Sequence, residues 1–226
     1  MARRLLITGT DAGVGKTTVG CALAFAFKAR GLRVGVMKPA ETGCEPGADG
    51  VLEPADARAL ALAAACSISL DLIAPFRYRS PLAPAAAAEI DALPAPDFDR
   101  IVECFRTIAS ESDLVIVEGV GGIAVPISWN RNFADLAALL GLEVLVVIGN
   151  RLGSLNLAAL TLKYADTRGL KIAGYLLNDL DPATSLAADT NEASLARLTR
   201  APALGRVRFR EPLSKTIVEK LLGSGG

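Results

Sequence analysis

An α/β fold, with a mostly parallel sheet and helices on both faces, is predicted by three features of this sequence. Short β-rich runs alternate with alanine- and leucine-rich segments of helical length, the order that places helices over parallel strands. Two of the runs, Leu114-Val115-Ile116-Val117 and Val144-Leu145-Val146-Val147-Ile148, are apolar at every position, as a strand covered on both faces requires. A glycine-rich segment, residues 9 to 17, joins the first run directly to the first helical segment. Together these give a P-loop NTPase-like architecture, expected to occupy residues 1–226 as a single domain. Ligands then belong at the carboxyl ends of the strands.

The expected strands are Arg4 to Thr8, Arg33 to Lys38, Asp113 to Glu118, Glu143 to Ile148, Lys171 to Leu177 and Ala203 to Val207. Helices are expected near residues 16–30, 56–65, 97–110, 133–141, 154–168 and 185–199. Between them, Ala40 to Pro54 and Pro81 to Pro96 read as long connections because of their glycine and proline content, with Ala85 to Ala88 a short helix inside the second. Residues 222–226, ending Gly-Ser-Gly-Gly, read as a flexible tail.

Of the 226 residues 51% are hydrophobic, enough for a large core, and 24 basic side chains balance 24 acidic ones. No net field is left to recruit nucleic acid or an anionic membrane. No apolar run reaches the ~18–20 residues of a membrane span, and the first residues lack a signal-peptide pattern, so a cytoplasmic protein is expected. Cys21, Cys44, Cys66 and Cys104 form no C-x-x-C pair, which argues against structural zinc and a disulfide framework. Histidine is absent, excluding histidine triads and imidazole metal sites. A metal here should be hard and held by oxygen, which suits Mg2+.

The segment Gly9-Thr10-Asp11-Ala12-Gly13-Val14-Gly15-Lys16-Thr17 is a phosphate-binding loop, with Thr10 where the strict pattern has glycine. A strand ending in such a turn and feeding a helix aims several backbone N–H groups at one anion. Lys16 then reaches the outer phosphates and the Thr17 hydroxyl serves Mg2+. Lys38 closes the second expected strand at the same sheet edge, where it is either an ordinary exposed lysine or a neutraliser of phosphate charge. Glu118 ends the third and precedes Gly119-Val120-Gly121-Gly122; beside a phosphate loop a carboxylate in that position holds Mg2+, directly or through water. Asp56 opens a helix, so a helix cap and a metal role are both open readings. Gly153-Ser154-Leu155-Asn156 begins a helix whose free N–H groups can take a carboxylate, with Ser154 also an ordinary cap.

These landmarks, with Lys38-Pro39-x-x-Thr42-Gly43, Val117 to Gly122, Leu152 to Asn156 and Asn178-Asp179, resemble dethiobiotin synthetase in order from about residue 4 to about 209. The resemblance implies a homodimeric, ATP- and Mg2+-dependent ligase of biotin biosynthesis. It would convert 7,8-diaminopelargonic acid and CO2 or bicarbonate to dethiobiotin through a carbamate and its phosphoric anhydride. It further implies that Lys16, Lys38 and Thr42 act in catalysis and that Thr17, Asp56 and Glu118 hold the metal. Nucleotide contacts fall on Asp11, Ala12, Gly13, Val14, Gly15, Lys16, Thr17, Thr18, Glu118, Gly121 and Asn178. Substrate contacts fall on Thr10, Lys38, Thr42 and, across a subunit interface, on Gly153, Ser154, Leu155 and Asn156. At Ala12-Gly13 the chain departs from a common family version that has an acidic residue second.

Two other classes share the loop. A nucleotide-switch ATPase of the partitioning type usually carries a lysine where Asp11 stands. An amidase related to the cobyrinate enzymes needs a cysteine–histidine glutaminase module, which a histidine-free chain lacks.

Overall fold

The computed structural model describes residues 3–223. Its sheet has six strands in the order β12-β11-β10-β1-β7-β2, every neighbouring pair parallel. These are β1 (Arg3–Gly9), β2 (Val34–Met37), β7 (Leu114–Gly122), β10 (Glu143–Gly149), β11 (Ile172–Asn178) and β12 (Ala203–Val207). Period-two alternation sorts their side chains onto two faces. Leu6, Val144, Val146 and Ile148 pack under α5 (Phe98–Ser110), α6 (Phe133–Leu140) and α7 (Ser154–Thr167). Leu5, Ile7, Leu145 and Val147 pack under α1 (Lys16–Lys28), α2 (Ala55–Ala64) and α9 (Lys215–Leu222). Each of these strand residues is fully buried, a gain of roughly 1.5–3 kcal/mol per side chain. No helix among the described residues is long and apolar enough to cross a membrane.

All six expected strands and six expected helices form, with ends shifted by one or two residues except at β7. That strand does not stop at Glu118 but runs on through the glycines to Gly122, with a register shift against β1 between Ile7 and Gly9. Glu118 therefore lies inside the sheet, paired with Ile7 and wholly buried.

The connections carry more structure than expected. Residues 40–54 hold β3 (Ala40–Thr42), β4 (Glu45–Pro46) and β5 (Leu52–Glu53), followed after α2 by α3 (Leu70–Ile73) and β6 (Phe76–Tyr78), the partner of β3. The alanine run falls in α4 (Pro84–Ile90), and β8 (Pro126–Ser128) pairs with β9 (Arg131–Asn132) in a small hairpin. Helix α8 (Leu186–Leu198) completes the order. Leu222 closes α9 rather than starting a tail, and residues 224–226 of the expected tail lie outside the described residues.

Candidate active site

The phosphate loop is held at both ends. Thr10 donates its N–H to the Val147 carbonyl at 3.0 Å, and the Asn178 side-chain amide donates to the Val14 carbonyl at 2.9 Å. Gly15 has φ +85°, and a Cβ there would lie 2.2 Å from that Asn178 nitrogen, so only glycine fits. Gly15 is also the cap residue of α1 and offers no side-chain cap, which leaves the first helical N–H groups facing the recess in front of them. Lys16 Nζ meanwhile donates to the Asp11 carbonyl at 3.3 Å. The recess, about 410 Å3, is lined by Ala12, Gly13, Gly15, Lys16, Thr17, Thr18, Lys38, Thr42, Asp56, Glu118, Val120 and Gly121.

Four polar side chains meet in its wall. Lys38, one residue beyond β2, donates to Asp56 Oδ2 at 2.7 Å and to Glu118 Oε1 at 2.5 Å. Glu118 Oε1 also accepts from the Thr17 hydroxyl at 2.8 Å, while its Oε2 is buried without a partner. Asp56 is not the helix cap; that position is Pro54, whose apolar ring offers no acceptor, and the Asp56 carboxylate is turned onto Lys38. A remote residue does the capping: Glu41 on β3 accepts the N–H groups of Asp56 at 2.7 Å and Ala57 at 3.0 Å. One buried carboxylate thus ties the segment bearing Lys38 and Thr42 to the helix bearing Asp56.

The fields within this cluster follow from burial and neighbours. Burial, and then the charge of Lys38, hold the Lys16 ammonium below its ordinary pKa. Burial pulls Lys38 down as well, but Glu118 and Asp56 outweigh it and the net shift is upward. For Asp56 burial pushes upward, and the charge and hydrogen bond of Lys38 outweigh it to leave the carboxyl below its ordinary value. Burial raises Glu41 despite its two backbone N–H donors.

The donor set fits Mg2+. Two carboxylates and a hydroxyl converge on one spot, all hard oxygens, and Mg2+ takes few protein ligands because it keeps water and substrate phosphate oxygens. Among the described residues no group of three acidic, cysteine or histidine side chains forms a metal cage.

The polar recess opens into a groove of about 870 Å3, the two sharing Ala12, Thr42, Val120 and Gly121. Its other walls are Pro81 to Ala83 ahead of α4, the chain from Gly122 to Pro126, and Leu160, Thr161 and Tyr164 of α7. The Tyr164 hydroxyl accepts from Asn132 Nδ2 at 2.8 Å, and Trp129 of the hairpin donates to Glu89 of α4 at 2.5 Å, so side-chain bonds brace both walls. Thr10 and Asp11 edge the groove, and the Asp11 carboxylate pairs with Arg151 at 3.0 Å.

The other expected residues lie apart. Gly153, Ser154, Leu155 and Asn156 line neither recess of their own chain. Ser154 does not cap α7: Gly153 is the cap residue, with φ +90°, and the buried Ser154 hydroxyl bonds the Gly149 and Arg151 carbonyls. That hydroxyl is committed to the fold. Val14 is buried in the core and Asn178 is engaged on the loop, so neither side chain faces the recess. Sequence reasoning missed Glu41 and the groove. Glu41 carried no signal of its own, being one of several acidic residues that follow Lys38; the groove had none either, since its lining comes from five separate segments.

A family model described as "AAA domain" matches residues 3–216. The chain is 45% identical over 197 residues to the ATP-dependent dethiobiotin synthetase BioD of Anaeromyxobacter sp. (strain K), covering 87% of this chain and 86% of the relative. It is 43% identical over 212 residues to the protein of the same name from Anaeromyxobacter dehalogenans (strain 2CP-1 / ATCC BAA-258), covering 94% and 88%. Among solved structures it is similar to a ParA family ATPase from Chlorobium tepidum TLS, with TM-score 0.55, 18% identity and coverage of 98% and 90%. The cell division ATPase MinD of Pyrococcus furiosus gives TM-score 0.55 and 18% identity, covering 98% and 99%. At these identities the solved structures establish the P-loop NTPase-like fold alone.

Proposed function

The chain belongs to the dethiobiotin synthetase family, and from that premise we infer how its two joined recesses divide the family's reaction. The protein is an ATP- and Mg2+-dependent ligase that closes 7,8-diaminopelargonic acid and CO2 into the cyclic urea dethiobiotin, with ATP going to ADP and phosphate. The observation that carries the residue-level reading is the junction at Ala12, Thr42, Val120 and Gly121, where a charged recess sized for phosphates meets an apolar groove sized for an aliphatic chain. The whole chain works as one domain in this reading.

In the first step one substrate amine forms a C–N bond to CO2 and releases a proton, giving a carbamate. A carbamate is a poor electrophile, so its oxygen takes the γ-phosphoryl group of ATP as the bond to ADP breaks. The second amine then attacks the carbonyl carbon; phosphate leaves, a second proton is released and the ring closes. Thr42, at the junction, hydrogen-bonds the carbamate, and Thr10 lies on the same rim. Lys16 and Lys38 stabilise the transferring phosphoryl oxygens, where charge spreads in the transition state. Loop N–H groups from Ala12, Gly13, Gly15 and Thr18 cradle the phosphates, with Asp11, Val14 and Gly121 shaping the nucleotide site through their backbone. Asn178 acts on the nucleotide through the Val14 carbonyl it holds. Thr17, Asp56 and Glu118 hold Mg2+, which when bound neutralises phosphate charge and orients the transfer.

The far carboxylate of the diamine needs a second anion site. We assign it to the start of α7, Gly153 to Asn156, supplied by a second copy of the chain. Leu152, Leu160 and Leu186, exposed by 87%, 61% and 82%, support an apolar contact between copies on this side. If so, an inactive Lys16→Ala variant mixed with an inactive Asn156→Asp variant recovers about a quarter of wild-type activity, since half the random dimers carry one intact site. Mixtures that stay inactive after verified subunit exchange would place the site within one chain. The functional assignment itself is tested by ATP hydrolysis: phosphate release should require diaminopelargonate and bicarbonate together. Hydrolysis that proceeds without either would indicate a nucleotide switch.

A further inference from the structure

Lys38 sits where the metal belongs. Its ammonium lies 2.7 Å from Asp56 Oδ2 and 2.5 Å from Glu118 Oε1, and the same Oε1 takes the Thr17 hydroxyl at 2.8 Å. These three side chains are the proposed Mg2+ donors, so this inference rests on that assignment. An ammonium spanning two carboxylate oxygens at hydrogen-bond distance fills nearly the volume that a cation bound at about 2.1 Å to both would need. The Lys38 side chain is only 4% exposed and the Glu118 side chain 0%, so little water screens one cation from another. Both cannot stay. Leaving the carboxylates without a cation is costly, because wholly buried Glu118 is then an unpaired charge, so a neutral residue at 38 should favour metal.

We propose that the Thr17–Asp56–Glu118 site holds one cation at a time, the Lys38 ammonium in the nucleotide-free enzyme and Mg2+ once nucleotide arrives. Metal entry then displaces Lys38 toward the recess lined by Lys16, where the phosphoryl group of ATP is the anion available to receive it. A lysine already in the phosphate position would face the like charge of Lys16, which lines the same recess. Phosphate brings enough negative charge to take both. The exchange makes metal loading and delivery of a catalytic cation a single event. It also keeps metal affinity low until there is nucleotide to activate.

The test is Mn2+ binding to nucleotide-free enzyme, read as loss of the free-ion electron paramagnetic resonance signal, with no turnover involved. Wild type should bind weakly. Lys38→Gln, neutral and still able to hydrogen-bond both carboxylates, should bind at least tenfold more tightly, and Lys38→Met should do the same. Lys38→Arg, which keeps the charge, should stay near wild type. Adding Asp56→Asn to Lys38→Gln should abolish the gain. Any folded neutral variant that binds Mn2+ no better than wild type overturns the exchange, and Lys38→Gln is expected to fold because the pocket remains filled and bonded. If instead Asp56→Asn leaves Mn2+ affinity unchanged both in wild type with ADP and in Lys38→Gln, the metal-site assignment falls, and the exchange with it.

Discussion

The two recesses that meet at Thr42 and Gly121 are opposite in construction. The phosphate recess is charged, and its working side chains are held by sheet and helix: Lys38 just past β2, Glu118 within β7 and Lys16 opening α1 are buried, and Thr17 beside Lys16 is half-buried. The groove is largely apolar, built from loop, hairpin and the flank of a helix, and braced by single side-chain hydrogen bonds at Tyr164 and Trp129. The contrast teaches that chemistry and substrate shape are placed on different kinds of structure. Phosphoryl transfer needs charges fixed to a fraction of an ångström, which strand ends and a helix start provide. An aliphatic chain needs only area and exclusion of water.

The sharpest way to break this division is at Lys16. If the polar recess carries the chemistry, Lys16→Ala should lower kcat by about 10²–10³-fold, roughly 2.7–4 kcal/mol of transition-state stabilisation, while calorimetry shows diaminopelargonate still binding. Retention of more than about a tenth of wild-type kcat would remove Lys16 from the chemistry.

A smaller effect separates metal ligands from the residue that positions one of them. Asp56→Ala or Glu118→Gln should raise the Mg2+ concentration for half-maximal rate by about 10–100-fold. Glu41→Ala should raise it less, by several-fold, because it frees two helix N–H groups and lets Asp56 drift, and it should add nothing once Asp56 is already alanine. Additive effects in the double variant would return Glu41 to a purely structural cap.

The groove predicts the mildest change. Ala124→Trp, at an exposed position on its wall, should raise the KM for diaminopelargonate about tenfold, roughly 1.4 kcal/mol, and leave that for ATP within about twofold. An equal rise in both would mean the recesses are not functionally separate.

The same contrast explains what could be read from the chain before its structure. Runs such as Val144 to Ile148 announce a strand buried on both sides, and Gly-Lys-Thr after the first strand announces the phosphate loop; both are local signals carried by consecutive residues. Lys38 and Glu118 were legible because polar residues closing apolar runs stand out. Glu41 was not, since its partners at Asp56 and Ala57 lie 15 and 16 residues away and nothing in the spacing predicts a remote cap. Ser154 reads as a cap because serine at a helix start usually is one, yet Gly153 holds the cap position and the Ser154 hydroxyl bonds the Gly149 and Arg151 carbonyls. The end of β7 is expected at Glu118 because glycines normally close a strand; here three of them, Gly119, Gly121 and Gly122, stay in the strand and bring backbone close to the phosphate loop. The groove depends on contacts between segments about 40 residues apart, which no window of sequence contains.

The central claim is that the polar recess uses ATP to phosphorylate a carbamate delivered along the groove, and the fate of oxygen tests it directly. With freshly added 18O-labelled CO2, a single turnover followed before exchange with water should place one 18O in the phosphate released for each dethiobiotin formed, because the carbamate oxygen that accepts the phosphoryl group leaves with it. Unlabelled phosphate alongside dethiobiotin would contradict the account, since ATP would then be activating something other than the carbamate.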